Sequence, residues 1–366
     1  MFSYCHVFHA GNHADVLKHA ILVAILRHLA QKDKAFWVFD THAGAGLYRL
    51  DAAQARKNAE YASGIEALWP VKKLPPLLKD YCEAVACFDA AHGQQPGAAG
   101  RGEREAGAGR PGRTGGHTEA GPDRPSRAGR DREATQGRPG RSGGHGEAGP
   151  EGREPAGAAS MAGTPPGKVV RTGRLPRWYP GSPWLALQAM RPQDRLRCFE
   201  AHPSEIRALQ NNLAAAGRRQ VQVFGEDGFA GLKALLPPVS RRGLVIIDPS
   251  YEDKRDYSKA RRTLIEALER FATGTMMLWY PLVRRRELML LLENLPKLPG
   301  LTDWLDVRLQ VSAPPEDGYG LYGSGVFVIN PPYTLASSLK EAMPVLWELL
   351  GQDARSGWWM GSSNDR

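Results

Sequence analysis

Outside one long stretch, the apolar residues of this chain fall into two alternating patterns: short runs closed by turn residues, and longer segments with helical periodicity. The short runs are "AFWVFD", "LRCFE", "VQVF", "GLVIID", "TMMLWY", "VRLQV" and "GVFVI", and they predict seven strands. Between the earlier ones lie amphipathic segments such as "PSEIRALQNNLAAAG" and "RRTLIEALERFA", while Asn12 is placed to cap a helix through "HADVLKHAILVAILRHLA". Strands alternating with helices predict an α/β fold on a mostly parallel sheet. The last two strands are joined by a loop containing "PPEDGYGLYGS" and no helix, so they are expected to form an antiparallel hairpin at one sheet edge.

The exception to this alternation runs from about His92 to Gly173, where Gly, Arg, Pro, Ala and Glu dominate and large apolar side chains are nearly absent. "GRPGRTGGHTEAGP" from Gly109 returns as "GRPGRSGGHGEAGP" from Gly137, a repeat without the apolar faces that a solenoid needs. Such a segment cannot bury enough surface to fold, and it reads as a disordered, repeat-expanded insertion. The rest of the 366 residues, in a chain 42% hydrophobic, can build a sizeable core. Its longest apolar run, Ala20 to Leu26, is far short of the ~20 residues that span a bilayer. The N-terminus has no basic start followed by an apolar block, so no export signal is read. Cys5, Cys82, Cys87 and Cys198 form no CxxC pair, which favours reduced thiols and a cytoplasmic location. The net charge of +9 makes a polyanionic partner such as nucleic acid plausible, although part of it belongs to the insertion.

Three strand ends carry ligand chemistry. The first strand runs into "DTHAGAG", whose glycines, Gly44 among them, allow a tight turn and a close backbone approach. Glu200 closes the next strand, where a nucleoside-binding α/β protein places a carboxylate for the ribose hydroxyls. In "EDGF", Asp227 is placed to receive an adenine amino group while Gly228 leaves room for the ring. Each has a plainer role as well, since Glu200 and Asp227 could simply cap the helices that follow. As an ordered set on consecutive strands they describe an adenosyl pocket. Without a P-loop lysine to hold phosphates, S-adenosylmethionine fits it better than ATP.

Two tetrapeptides compete for the catalytic loop. "NPPY", Asn330 to Tyr333, is the better-spelled amino-methyltransferase motif, and "DPSY", Asp248 to Tyr251, the poorer one. Strand direction decides between them. "GLVIID" is read as parallel to the first strand, so Asp248 emerges at the edge that holds the methyl donor, whereas an antiparallel "GVFVI" carries Asn330 to the opposite edge. A strand separates the two edges by roughly 17 to 20 Å, and reacting atoms must approach to about 3 to 3.5 Å. Asp248 and the Pro249 carbonyl suit acceptance of hydrogen bonds from a planar amino group, and Tyr251 is expected to stack on the purine. Asn330 and its prolines are read as a strand stop.

These residues, together with "SYCHVFHAGNHADVLKH", "WYPGSP", "EAHPSE", "LPPVSRRGLVIIDPSYE", "RFATGTMMLWYP" and "SGVFVINPP", closely resemble the RlmJ family of bacterial 23S ribosomal RNA adenine-N6 methyltransferases. The resemblance covers the chain except the insertion, and within the catalytic tetrapeptide Ser250 departs from the amino-methyltransferase motif, where a proline would stiffen the loop. It implies a Rossmann-like class I methyltransferase with a small inserted helical subdomain, acting as a monomer, without an obligate protein partner, on protein-free 23S ribosomal RNA with S-adenosylmethionine. It also implies that His19, His42, Ser182, Glu200, Asp227, Gly228 and Asp248 line the cofactor pocket, with Asp248 the catalytic acceptor. Tyr4, His6 and Lys18 would engage RNA or close over the site.

The resulting plan is an N-terminal segment and first strand at 1–50, the start of the helical subdomain at 51–91, the insertion at 92–173, the remaining core at 174–350 and a flexible tail at 351–366. His6, His9, His13 and His19 look at first like a metal cluster, but only Asp15 is placed as a further ligand, so no metal is expected. Other readings are a DNA adenine or protein-amide methyltransferase, because related loops serve those nucleophiles, and a noncatalytic RNA-binding relative in which Ser250 marks lost activity.

Overall fold

The structure, a computed structural model, describes residues 6–93, 174–214, 220–316 and 320–365. Tyr4 and nearly all of the 92–173 insertion lie outside them. A 3-10 turn at His6–Phe8 leads into helix α1 (His13–Ala30), strand β1 (Trp37–Asp40) and strand β2 (Leu47–Arg49). Helices α2 (Ala53–Asn58), α3 (Ile65–Leu68) and α4 (Pro76–Gly93) form the segment before the insertion. Beyond it come β3 (Trp178–Pro180), α5 (Ser182–Ala189), β4 (Arg195–Phe199), α6 (Pro203–Ala214), β5 (Val221–Phe224) and α7 (Gly228–Leu235). The chain continues through β6 (Gly243–Ile247), α8 (Arg255–Arg270), β7 (Thr275–Leu282), α9 (Arg286–Asn294), β8 (Trp304–Gln310), β9 (Gly323–Ile329), α10 (Leu335–Leu350) and β10 (Gly357–Ser362).

The strands join in one sheet of order β10-β8-β9-β7-β6-β1-β4-β5, and a second, two-stranded sheet pairs β2 with β3. β7, β6, β1, β4 and β5 are mutually parallel, so their carboxyl ends share one edge. β9 runs antiparallel to β7 and to β8, which makes the expected hairpin. The sheet nevertheless has eight strands where seven were expected, and the hairpin is not outermost. β10 pairs antiparallel with β8, Trp358 opposite Leu309 and Trp359 opposite Arg308. The expectation of a flexible tail at 351–366 is therefore wrong. Its glycines and serines hide a strand whose Trp358 and Met360 pack on the core while the Arg308 guanidinium lies 4.3 Å from the Trp359 ring centroid.

Hydrophobic clusters cover both faces of the sheet. One gathers α1, α4, α5 and α10, the other α7, α8 and α9. Helix α1 starts where it should, with the Asn12 side chain accepting from the Ala14 and Asp15 N–H groups at 3.0 Å each. It is buried along nearly its whole length because it packs on α4, α5 and β9, and its buried polar residues, Asp15 and Lys18 among them, find partners there. The insertion leaves and rejoins this body at a closed point: Asp89 Oδ1 accepts the Arg177 and Trp178 N–H groups, each at 2.8 Å.

Asn330 ends β9 beside the start of β7, with Ile329 opposite Met276, and so lies at the edge away from Asp248. Its left-handed backbone (φ 50°) suits asparagine, and its Nδ2 donates to the Ala272 and Gly274 carbonyls at 2.8 Å each. The better-spelled motif is a structural clasp on the turn before β7. Asn330→Ala is expected to lower unfolding free energy by about 1 to 3 kcal/mol for two lost hydrogen bonds, measured by urea unfolding, and to leave turnover at the other edge within about twofold; a tenfold loss of turnover without unfolding would contradict this placement.

Candidate active site

At the carboxyl edge, the loop after β1 turns on Gly44 (φ 57°) and Gly46 (φ 72°), a backbone that L side chains rarely adopt. The Gly44 N–H donates to Glu200 Oε2 at 2.8 Å, and the His202 N–H to Glu200 Oε1 at 2.7 Å. The carboxylate is thereby aimed by two backbone groups. Partial burial raises the Glu200 pKa, and those two hydrogen bonds hold the rise in check. Asp227 caps α7, its Oδ1 accepting the Phe229 N–H at 2.8 Å. Gly228 is required by close approach, because a Cβ there would meet the Thr41 carbonyl oxygen at 2.1 Å. The capping role and the placement at the pocket therefore coexist in Asp227.

One cavity of about 1160 Å³ is lined by His6, Lys18, His19, His42, Gly44, Ser182, Glu200, Asp227, Gly228, Asp248, Pro249 and Tyr251. The structure thus brings together every described residue that the sequence nominated, from positions more than two hundred residues apart. Asp40, at the end of β1, is fully buried behind this cavity with Oδ2 unpartnered. Burial, with the nearby Asp248 charge, pushes its pKa up to about 7 against the Ser182 and His42 hydrogen bonds. His19 Nδ1 lies 2.9 Å from the Tyr179 hydroxyl, which lies 2.9 Å from that of Tyr81. Burial lowers the His19 pKa to about 3 and that of His13 to about 4, so both rings are neutral at physiological pH.

Two nominated residues are placed differently from expectation. Lys18, expected to engage RNA or to close over the site, has a side chain only 6% exposed, and its ammonium lies 2.6 Å from Asp248 Oδ2 and 2.9 Å from Asp15 Oδ1. A lysine on the inward face of a buried helix meets carboxylates before it can meet a phosphate. Tyr251, expected to stack on a purine, is 2% exposed, and its hydroxyl donates to the Trp279 carbonyl at 2.8 Å. Its ring lies 4.5 Å from Tyr257, and its backbone is left-handed (φ 55°), with the Arg285 guanidinium donating to its carbonyl at 2.8 Å. Tyr251 is a wall of the cavity, not a free platform.

Trp279, which lines the cavity with the Lys18 ammonium 5.8 Å from its ring centroid, escaped the sequence reading. The signal available was only its place near the end of a strand parallel to β6. His9 Nδ1 lies 2.9 Å from Glu60 Oε1 and His6 Nε2 lies 3.0 Å from Asp15 Oδ2, so each of these two histidines has a carboxylate of its own.

Comparison with known proteins adds to this geometry. The family model described as ribosomal RNA large subunit methyltransferase D, RlmJ, matches residues 33–97 and 168–361, skipping the repeat-bearing segment. A protein named ribosomal RNA large subunit methyltransferase J from Haemophilus influenzae is 33% identical over 98% of this chain and 97% of its own length. One of the same name from Escherichia coli is 34% identical over 94% and 93%. A crystal structure of protein LPL1258 from Legionella pneumophila superposes with a TM-score of 0.66 at 26% identity, covering 97% of this chain and 98% of that one.

The buried groups set the response to acid. His13 and His19 have folded pKa values below 6.5, so the unfolded chain binds more protons; their contribution is present above pH 6.5 and lost as pH falls through about 4 for His13 and about 3 for His19. Asp40 acts in the opposite sense, since its raised pKa favours the folded state below about pH 4 and that contribution is lost as pH rises through about 7. Urea-unfolding midpoints are expected to fall from pH 6.5 to 4, and to fall more steeply in Asp40→Asn; an equal or shallower slope in that variant would refute the assignment.

Proposed function

The chain belongs to the RlmJ family of ribosomal RNA large subunit methyltransferases, and from that premise we propose that it methylates the N6 amino group of an adenine in 23S ribosomal RNA, using S-adenosylmethionine and acting on RNA free of ribosomal protein. The observation that carries the finer reading is the position of Asp248 and Pro249 at the carboxyl end of β6, in the same cavity as Glu200 and Asp227.

The residues present fit this cofactor. Glu200, aimed by the Gly44 and His202 N–H groups, keeps lone pairs for a ribose diol, and Asp227 keeps Oδ2 for an adenine amino group. Gly228 packs directly on Thr41, so the pocket floor is backbone without side chain. The neutral His19 ring would not repel a sulfonium. S-adenosylmethionine supplies an electrophilic methyl group there.

An adenine amino group is a weak nucleophile because its lone pair is delocalised into the ring. Acceptance of its two N–H groups by Asp248 and the Pro249 carbonyl favours a pyramidal nitrogen, and the methylated nitrogen is acidic enough to pass a proton to that carboxylate. Lys18 engages Asp248 Oδ2, leaving Oδ1 as the acceptor. A base that reaches this recess must leave its stack. Tyr4, outside the described residues, and His6, which lines the cavity beside Tyr48, belong to the same N-terminal segment and are proposed to meet the RNA.

Methyl incorporation into deproteinised 23S RNA, followed by nucleoside mass spectrometry, is expected to yield N6-methyladenosine. Asp248→Ala should reduce the rate by about 100-fold or more, and Glu200→Ala should weaken cofactor binding by about 10- to 100-fold for lost charge-assisted hydrogen bonds. Full activity of Asp248→Ala would sink the reading. Methylation of DNA or of a protein amide in place of RNA would redirect the substrate without moving the site.

A further inference from the structure

We propose that Asp15 is a positioning residue for methyl transfer, holding the Lys18 ammonium between two carboxylates so that Asp248 stays available to the incoming amino group. The inference rests on the reading of Asp248 as the acceptor, and it concerns a residue that acts through Lys18.

Asp15 is 1% exposed and uses its two oxygens for different purposes. Oδ2 accepts the Gly11 N–H at 2.9 Å and lies 3.0 Å from His6 Nε2, while Oδ1 lies 2.9 Å from Lys18 Nζ. The Gly11 contact has a local explanation. Asp15 is the third helical residue after the Asn12 cap, and an acidic side chain there commonly reaches back to the backbone before the helix. Capping needs one oxygen and neither Lys18 nor His6. The other contacts reach into the cavity, where Lys18 Nζ continues to Asp248 Oδ2 at 2.6 Å. Burial alone would raise the Asp15 pKa, but its contacts with His6 and the Lys18 ammonium hold it well below the usual range, so the carboxylate is a standing anion.

A cation shared by two anions in a water-poor recess is committed to neither. With Asp15 neutralised, the Lys18 ammonium has one counter-charge left, and it must collapse onto Asp248 to avoid an uncompensated buried charge. A substrate amino group would then compete with an ammonium for the same carboxylate. Asp15 also ties this balance to the N-terminal segment, because the oxygen that meets His6 and Gly11 fixes the carboxylate that meets Lys18.

The test compares full-length wild type, Asp15→Asn, Lys18→Met and the double variant. Asparagine keeps the shape and an acceptor for the Gly11 N–H, so the cap survives. In Asp15→Asn, kcat for methylation of deproteinised 23S RNA should fall by about 10- to 100-fold, as when second-layer partners of reactive groups are removed, with the S-adenosylmethionine dissociation constant within about twofold. If Asp15 acts through Lys18, removing it after Lys18 costs nothing, and the double variant should match Lys18→Met. A further drop of the same size in the double variant would overturn the proposal, and that comparison holds even if Asp15→Asn alone fails to fold. A readout independent of turnover is the 15N–1H resonance of the Lys18 ammonium, assigned by its loss in Lys18→Met. It should be slow to exchange in wild type and shifted or lost in Asp15→Asn; an unchanged resonance would overturn the proposal. Absence of wild-type methylation would count against the substrate reading, while the ammonium resonance would still decide the role of Asp15.

Discussion

Parallel strands all empty at the same edge of a sheet, and this constraint orders everything else in the molecule. β1, β4, β5 and β6 deliver the Gly44 turn, Glu200, Asp227 and Asp248 to one side because their registers run together, Trp37 opposite both Arg195 and Gly243. Once those directions are fixed, residues from four separate segments must converge, and no local motif can compete by spelling alone. β9 shows the converse. Its reversal puts Asn330 at the other edge, where the same residue type that could accept an amino group instead ties down the Ala272–Gly274 turn.

Convergence at one edge brings an electrostatic difficulty with it, since Asp15, Asp40 and Asp248 come together with little exposure to solvent. The structure resolves it in two ways. Asp248 and Asp15 share the Lys18 ammonium, whereas Asp40 is left without a cation and shifts toward its neutral form. The neighbouring imidazoles of His13 and His19 are held neutral by burial. Lys18 is thus held between two carboxylates beside two neutral imidazoles, and Glu200 and Asp227 add further carboxylates to the cavity, a balance that suits a positively charged methyl donor better than a ring of imidazolium groups would.

The sequence made the sheet legible because its strands carry uninterrupted apolar runs, and it made the adenosyl side of the site legible because Gly44, Glu200 and Asp227 each follow such a run at a fixed offset. What escaped it depends on contacts between distant segments. The Lys18–Asp248 pair spans 230 positions and has no local signature. Nothing in "DPSY" announces that Tyr251 adopts a left-handed backbone and turns its hydroxyl to Trp279. β10 was invisible for a different reason: "GWWMGS" reads as a loop until Leu309 and Arg308 supply the strand and the cation that its tryptophans pack against.

The same dependence on contacts explains how the fold accommodates its long insertion. The described chain on either side is closed before the insertion begins, by β2 pairing with β3 through Tyr48 opposite Tyr179, and by Asp89 accepting from Arg177 and Trp178. Among the described residues, none between Asp89 and Arg177 lines the cavity, and Tyr179 on the returning strand still reaches His19 at 2.9 Å. The family model's match stops at residue 97 and resumes at 168, ten positions before that strand, so the matched segments and the hydrogen-bonded clasp bracket the same stretch.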